Sequence, residues 1–226
     1  MTGSLRCCLK KENEMNGQTE TKGNNYRLRI HMDLSCDQVD RVIAIPAQAS
    51  FYDLAQTILI TFGWSGSHEH EFMIPEGYKY FDFITPADFR PVKTLILREE
   101  DPELLAQYDP KEYEIRYERT TKIAEAFQET DKIVFTYDFT DNWDHMITLE
   151  EVLEEGEDHP VLLERIGTRP PEEIGGEDGY VEYRNIVSNP YNMEREAILA
   201  WAEETKEPDR SVEEINEMLS VYRIEG

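Results

Sequence analysis

The chain has 226 residues, 39% of them hydrophobic and 11% aromatic, set in periodic blocks between turns; this describes a folded protein of one main domain rather than a disordered acidic chain. Its 48 acidic and 23 basic residues leave a formal charge of -25, a field that repels phosphate backbones and anionic lipid heads, so direct nucleic-acid and membrane-surface binding are disfavoured. No apolar run has transmembrane length, Met1 to Gln18 carry no signal-peptide core, and Cys7, Cys8 and Cys36 form neither a disulfide framework nor a spaced zinc motif, so a soluble protein of a reducing, cytoplasmic compartment is expected.

Residues 1 to 24 are polar and aperiodic and read as a flexible tail ahead of a domain over 25 to 226. From Tyr26 the chain alternates: Tyr26, Leu28, Ile30, Met32 and Leu34 lie on one side, Arg27, Arg29, His31 and Asp33 on the other, which predicts a half-buried strand. A second strand over Val39 to Ile45 stops at Pro46. Ser50 then precedes Phe51, Leu54, Ala55, Ile58, Leu59 and Phe62 at helical spacing, with Asp53 in the first turn and Gly63 just past the end. The helix should rest Leu54, Ile58 and Phe62 on the sheet that contains Tyr26 to Leu34.

After Gly63-Trp64, the run from His68 to Ile74 reads as a strand with His68, His70, Phe72 and Ile74 on one face. An aromatic turn follows at Tyr78 to Phe83. Thr94 to Leu97 reads as a short strand, and Asp101-Pro102 as the opening of a short helix through Tyr108. One or two helical turns over Thr121 to Phe127 lead into a β-hairpin of Ile133 to Phe139 and Trp143 to Leu149 around Thr140-Asp141-Asn142. Glu154 to Gly179, rich in Gly, Pro and acidic residues, reads as an ordered surface loop. The carboxy-terminal part is helical over Met193 to Trp201, and again after Ser211-Val-Glu-Glu214, a capping box ahead of Ile215, Met218, Leu219 and Tyr222. These elements make an α+β fold in a single domain, a mainly antiparallel sheet packed by a few helices.

Chemistry-bearing side chains concentrate at the hairpin. Alternation puts Trp143, His145, Ile147 and Leu149 on one face, so His145 stands in an apolar row, where a hydrogen-bonded core histidine is the ordinary outcome. The functional alternative is a divalent-metal site joining Asp138 or Asp141 and His145 with His68 or His70, an oxygen and nitrogen set suited to zinc, manganese or iron, although no HExxH or paired CxxC fixes its geometry. Gly175-Gly176 can turn two amides toward one point as an anion nest or simply make a tight turn, and Glu172, Glu173, Glu177 and Asp178 around it oppose an anion, with Arg165 and Arg169 compensating only in part. There is no Gly-x-Ser-x-Gly, Walker or Gly-x-Gly-x-x-Gly motif, and covalent catalysis and nucleotide hydrolysis lose ground accordingly.

Gly63-Trp64 followed by His68 and Phe72, then Tyr137-Asp-Phe-x-Asp-x-Trp-x-His145, then Pro170-Pro-Glu-Glu-x-Gly-Gly-x-x-Gly-Tyr180 resemble, in order and combination, the plasmid pRiA4b ORF-3-like family. The resemblance runs from about Tyr26 to Tyr222 and implies one α+β domain in a family associated with plasmids and transposons, without a settled biochemical function. His68, Asp138, Asp141, Trp143, His145, Glu172, Gly175, Gly176 and Tyr180 carry the motif. The pattern departs at Thr140, where relatives usually have Gly, and near Leu163 and Ile174, where they commonly have cysteines, so a cysteine-dependent metal site is not expected. A serine resolvase would need a nucleophilic serine among arginines and a basic DNA-binding tail, and the chain has neither. The reading that follows is an accessory or binding protein of plasmid or mobile-element type. It acts on a protein or small ligand through a pocket or face of the three motif segments. The alternatives are a metal-dependent hydrolase using the histidine and aspartate set, and an acidic partner of a nucleic-acid-binding protein.

Overall fold

A computed structural model describes residues 24–75, 92–98, 105, 106, 108, 109, 111 and 113–224. The tail read over 1 to 24, except Asn24, lies outside the described residues, as do the aromatic turn at Tyr78 to Phe83 and most of the helix read over Asp101 to Tyr108.

Alternation at the start of the chain becomes β1 (Asn25–Met32), which pairs antiparallel with β2 (Val39–Pro46). Leu28, Ile30 and Met32 are wholly buried, while Arg27 and Arg29 on the opposite face pair with Glu150. Helix α1 (Phe51–Phe62) begins at a capping box, in which Ser50 Oγ accepts from the Asp53 amide and the Asp53 carboxylate accepts from the Ser50 amide. It ends at Gly63, whose φ of 69° is the left-handed conformation that glycine adopts without penalty. Leu54, Ile58 and Phe62 are fully buried in one cluster with Leu28, Ile30 and Met32, as the helical spacing requires.

Beyond α1 come β3 (His70–Pro75), β4 (Val92–Leu97), β5 (Glu114–Tyr117), the single turn α2 (Ile123–Ala126), and the hairpin of β6 (Lys132–Tyr137) and β7 (Trp143–Leu153). The chain continues through β8 (Val161–Ile166), α3 (Gly176–Ser188), α4 (Arg195–Thr205) and α5 (Val212–Leu219). One sheet in the order β5-β4-β3-β6-β7-β1-β2-β8 holds all eight strands, antiparallel throughout except for the parallel pair β4 and β5. Its larger core lies on the α1 side, and a smaller apolar cluster of Leu95 and Leu97 with Met73, Tyr108, Tyr113 and Phe139 forms separately. Among the described residues no helix is long and apolar enough to cross a membrane.

The expected loop from Glu154 to Gly179 is corrected in two places. Val161–Ile166 is an edge strand on β2, and α3 already begins at Gly176. Both escape pattern reading for one reason: they bury little. In β8 only Leu162 is fully covered, and in α3 only Gly176 and Tyr180 are, so neither segment needs an apolar stripe. The outer edge of β8 is closed by α5, where the Asn216 amide accepts from the Leu162 amide at 2.7 Å and donates to its carbonyl at 3.0 Å.

Candidate functional site

The left-handed turn at Gly63 drops Trp64 back onto the helix it has just left, the Trp64 amide donating to the Leu59 carbonyl at 2.9 Å. The indole then becomes the hub at which the motif segments meet. Its ring lies 4.9 Å from that of Tyr137 and is stacked 6.2 Å from that of Trp143, and the Arg169 guanidinium sits 4.2 Å above it. Its Nε1–H donates to His145 Nε2 at 3.2 Å. The Tyr137 hydroxyl accepts from the Gly66 amide at 3.1 Å, and burial raises the phenol pKa.

His145 is wholly enclosed, and both ring nitrogens are engaged. Nδ1 lies 3.2 Å from the Phe135 carbonyl and must carry the proton, while Nε2 accepts from Trp64. The neutral ring therefore has no lone pair left for a metal. Burial pushes its pKa down to about 4, against 6.5 in an unfolded chain. Between those values the unfolded state binds more protons than the folded one, so stability rises with pH across the window and is complete above it. Lowering the pH from 7 to 4.5 should withdraw about 2 to 3 kcal/mol through this group. Urea midpoints of the parent and of His145→Gln, compared at both pH values, should show a smaller acid loss in the variant; parallel losses would remove His145 as the cause.

A second cluster ties the hairpin turn to the Pro170 segment. Asp138 and Asn142 take positive φ values of 61° and 53°, and the Asn142 amide closes on the Asp138 carbonyl at 2.6 Å. Asp138 Oδ1 accepts from the Thr140 amide at 3.0 Å. His68 sits between carboxylates, Nδ1 at 3.6 Å from Asp138 and Nε2 at 3.1 Å from Glu173. Asp141 Oδ2 accepts from the Gly175 amide at 3.3 Å, so the chain's own carboxylate takes that amide. Gly176 packs directly on this turn: a Cβ there would stand 2.9 Å from the Asp141 carbonyl oxygen.

The nine motif residues thus divide. His68, Asp138, Asp141, Gly175 and Gly176 form the turn cluster, Trp143 and His145 belong to the core under Trp64, and Glu172 accepts from the Ser65 amide at 2.7 Å. Tyr180 points elsewhere and donates to Asp37 at 2.7 Å. The metal candidates do not converge either: His70 Nε2 faces Glu118 at 2.8 Å, and no three His, Cys, Asp or Glu side chains are grouped to hold an ion among the described residues.

Beside the hub opens a cavity of about 730 Å³, bounded by the exposed side of α1, the Trp64 to Gly66 turn, Glu118 and Arg119, Arg169 to Glu173, and the connection from α4 to α5. Its most buried basic group is Arg169, which gives its guanidinium protons to the carbonyls of Phe62, Gly63, Pro170 and Thr205; burial lowers its pKa to about 10. Behind it, Glu207 binds Arg41 at 2.7 Å, Arg165 at 2.8 Å and the Arg169 amide at 2.9 Å. Arg41, Glu207, Glu118 and Arg119 carry no local motif. Arg41 alone left a signal, as a charge in the buried row Val39, Ile43 and Ile45.

The profile of plasmid pRiA4b ORF-3-like proteins matches residues 24–214, which include the hub, the turn cluster and every cavity-lining residue but Met218. The chain belongs to this family. The chain is similar to the uncharacterized protein y4hQ of Sinorhizobium fredii (strain NBRC 101917 / NGR234), 27% identical over 180 residues that cover 77% of this chain and 79% of that protein. The crystal structure of a protein of unknown function, MM3350 from Methanosarcina mazei Go1, superposes with a TM-score of 0.59 at 25% identity, covering 79% of this chain and 89% of the other.

Proposed function

We propose that this pRiA4b ORF-3-like protein is a cytoplasmic accessory protein of plasmid or mobile-element type that binds a small ligand in the cavity beside Trp64. One observation carries the reading: residues of all three motif segments, Trp64 to Gly66 of the first, Tyr137 to His145 of the second and Glu172 of the third, interlock with the neighbouring Arg169 behind one wall of a cavity of about 730 Å³. That volume lies within the range of small-molecule sites, and its walls set the Tyr52 and Trp64 rings among nine arginine, lysine and glutamate residues. The interlocked side chains hold the wall and leave the contacts to the cavity's own lining. A charged face kept for solubility needs no such enclosure.

Thermal melting against a library of neutral, cationic and anionic metabolites tests the proposal. A ligand present at about 100 times its Kd should add about 2.7 kcal/mol, roughly 5 to 10 °C in a domain of this size. The rise should vanish in Gln56→Trp, which places an indole in the cavity from a half-buried position on α1. No rise with any compound, or an equal rise in Gln56→Trp, would overturn the reading.

A further inference from the structure

The charges along the cavity are unlike those of the rest of the chain. Carboxylates outnumber cations 48 to 23 in the sequence, and the described arginines elsewhere commonly stand against one, as Arg27, Arg29, Arg116, Arg184 and Arg223 do. Arg119 and Arg210 do not. Both line the cavity, and neither makes an ion pair with a described residue. The Arg119 guanidinium carbon instead sits 3.8 Å from the centre of the Tyr52 ring, a cation–π contact that leaves its N–H groups free to donate. Lys206 faces the same space from the α4 to α5 connection, its ammonium held by Glu203 at 2.6 Å, and Arg98 from the end of β4, where Glu69 holds it only loosely at 3.4 Å.

The carboxylates lining the cavity are mostly committed. Glu172 is taken by the Ser65 amide, Glu173 by His68 and Glu118 by His70, leaving Glu204 as the one without an assigned partner among the described residues. A recess whose uncommitted charges are the guanidiniums of Arg119 and Arg210 against the single carboxylate of Glu204 attracts anions even where the protein as a whole repels them. His70 and Glu118, 4% and 2% exposed, add a second element to the same wall. They touch at 2.8 Å, yet both ring nitrogens and Glu118 Oε1 lack a hydrogen bond to any described residue. Buried polar atoms with unused capacity call for a partner.

We infer that the cavity takes a small oxyanion-bearing ligand, a phosphate ester or a carboxylate, whose anionic group pairs with Arg119 and Arg210 and whose hydroxyl or amine is received by the His70 and Glu118 pair. This rests on the ligand-binding reading above and assigns its chemistry. Arginine suits the task, since its planar donor fork matches either oxyanion.

The test is nuclear magnetic resonance of the full ¹⁵N-labelled chain, titrated separately with glycerol 3-phosphate, lactate, inorganic phosphate, acetate, glycerol and ethanolamine. Glycerol 3-phosphate or lactate should shift the amides around Ser65, Arg119 and Arg210 in a saturable way; which of the two binds tells phosphate ester from carboxylate. The exposed Arg119→Glu should raise that Kd roughly ten- to hundredfold, as loss of a charged hydrogen bond does. Glu118→Gln should weaken the hydroxyl-bearing anion more than inorganic phosphate or acetate. Saturable shifts by glycerol or ethanolamine, with none by the anions, would overturn the oxyanion class and leave the cavity reading standing. Equal anion binding in Arg119→Glu would overturn the assignment to this recess, and no saturable shift with any probe would remove both.

Discussion

Arg41→Ala is expected to destabilise the protein by roughly 3 to 5 kcal/mol, the range seen when one partner of a buried ion pair is removed. Arg41 sits on β2 in a row of apolar residues, and its guanidinium is fully enclosed 4.7 Å from the centre of the Phe62 ring. It donates to the Thr61 carbonyl at 2.8 Å and the Ile166 carbonyl at 3.0 Å, and pairs with Glu207 at 2.7 Å. Burial pulls its pKa down, with Glu207 opposing the shift. Removing the side chain would strip the carbonyls of Asp40, Thr61, Ile166 and Gly167 of a donor, open a void beneath α1 and leave Glu207 to Arg165 and the Arg169 amide. Urea midpoints give the measurement. A single variant within error of the parent would show that the network does not hold the fold.

Trp143→Ala is expected to cost about 3 to 5 kcal/mol, as truncating a large core aromatic does. Trp143 is 2% exposed at the start of β7 and stacks on Trp64, so its loss would leave a cavity directly behind the hub. Its indole Nε1 has no acceptor among the described residues, so no hydrogen bond would be lost with the ring. Trp143→Phe should therefore cost distinctly less than Trp143→Ala, since most of the penalty is volume. Denaturant midpoints, with near-ultraviolet circular dichroism reporting the Trp64 environment, decide the matter. An unchanged midpoint in Trp143→Ala would contradict the packing described for the hub.

What could be read from the sequence follows physical lines. The spacing of Leu54, Ile58 and Phe62 between Ser50 and Gly63 yields α1 with both caps, and alternation yields β1 and the start of β7, which turn one face inward, while β2 and β6, buried on both faces, are legible as short β-rich runs bounded by turns. The row containing Trp143, His145 and Ile147 points inward as alternation requires, and His145 is the hydrogen-bonded core residue of the two alternatives. β8 and the start of α3 bury too little to leave a period. The cavity's charged lining was hidden for a different reason: Arg119, Lys206 and Arg210 come together from segments about 90 residues apart, a proximity that no local pattern encodes. Tyr180, adjacent in the motif to the glycines, turns away to Asp37, since helical geometry rather than sequence distance sets its direction.

The contact of Asn216 with Leu162 has a consequence for how the protein behaves in a crowd. Last strands of open sheets invite a neighbouring molecule to continue the ladder, and this one displays Leu163 and Ile166 at 40% and 39% exposure. A carboxamide carries one acceptor and one donor at nearly the spacing of a peptide group, so Asn216 stands in for the missing strand at the middle of β8. An incoming chain would first have to peel α5 away. Protection from strand-to-strand polymerisation thus depends on the docking of an eight-residue helix, whose capping box at Ser211 keeps it wound against the sheet.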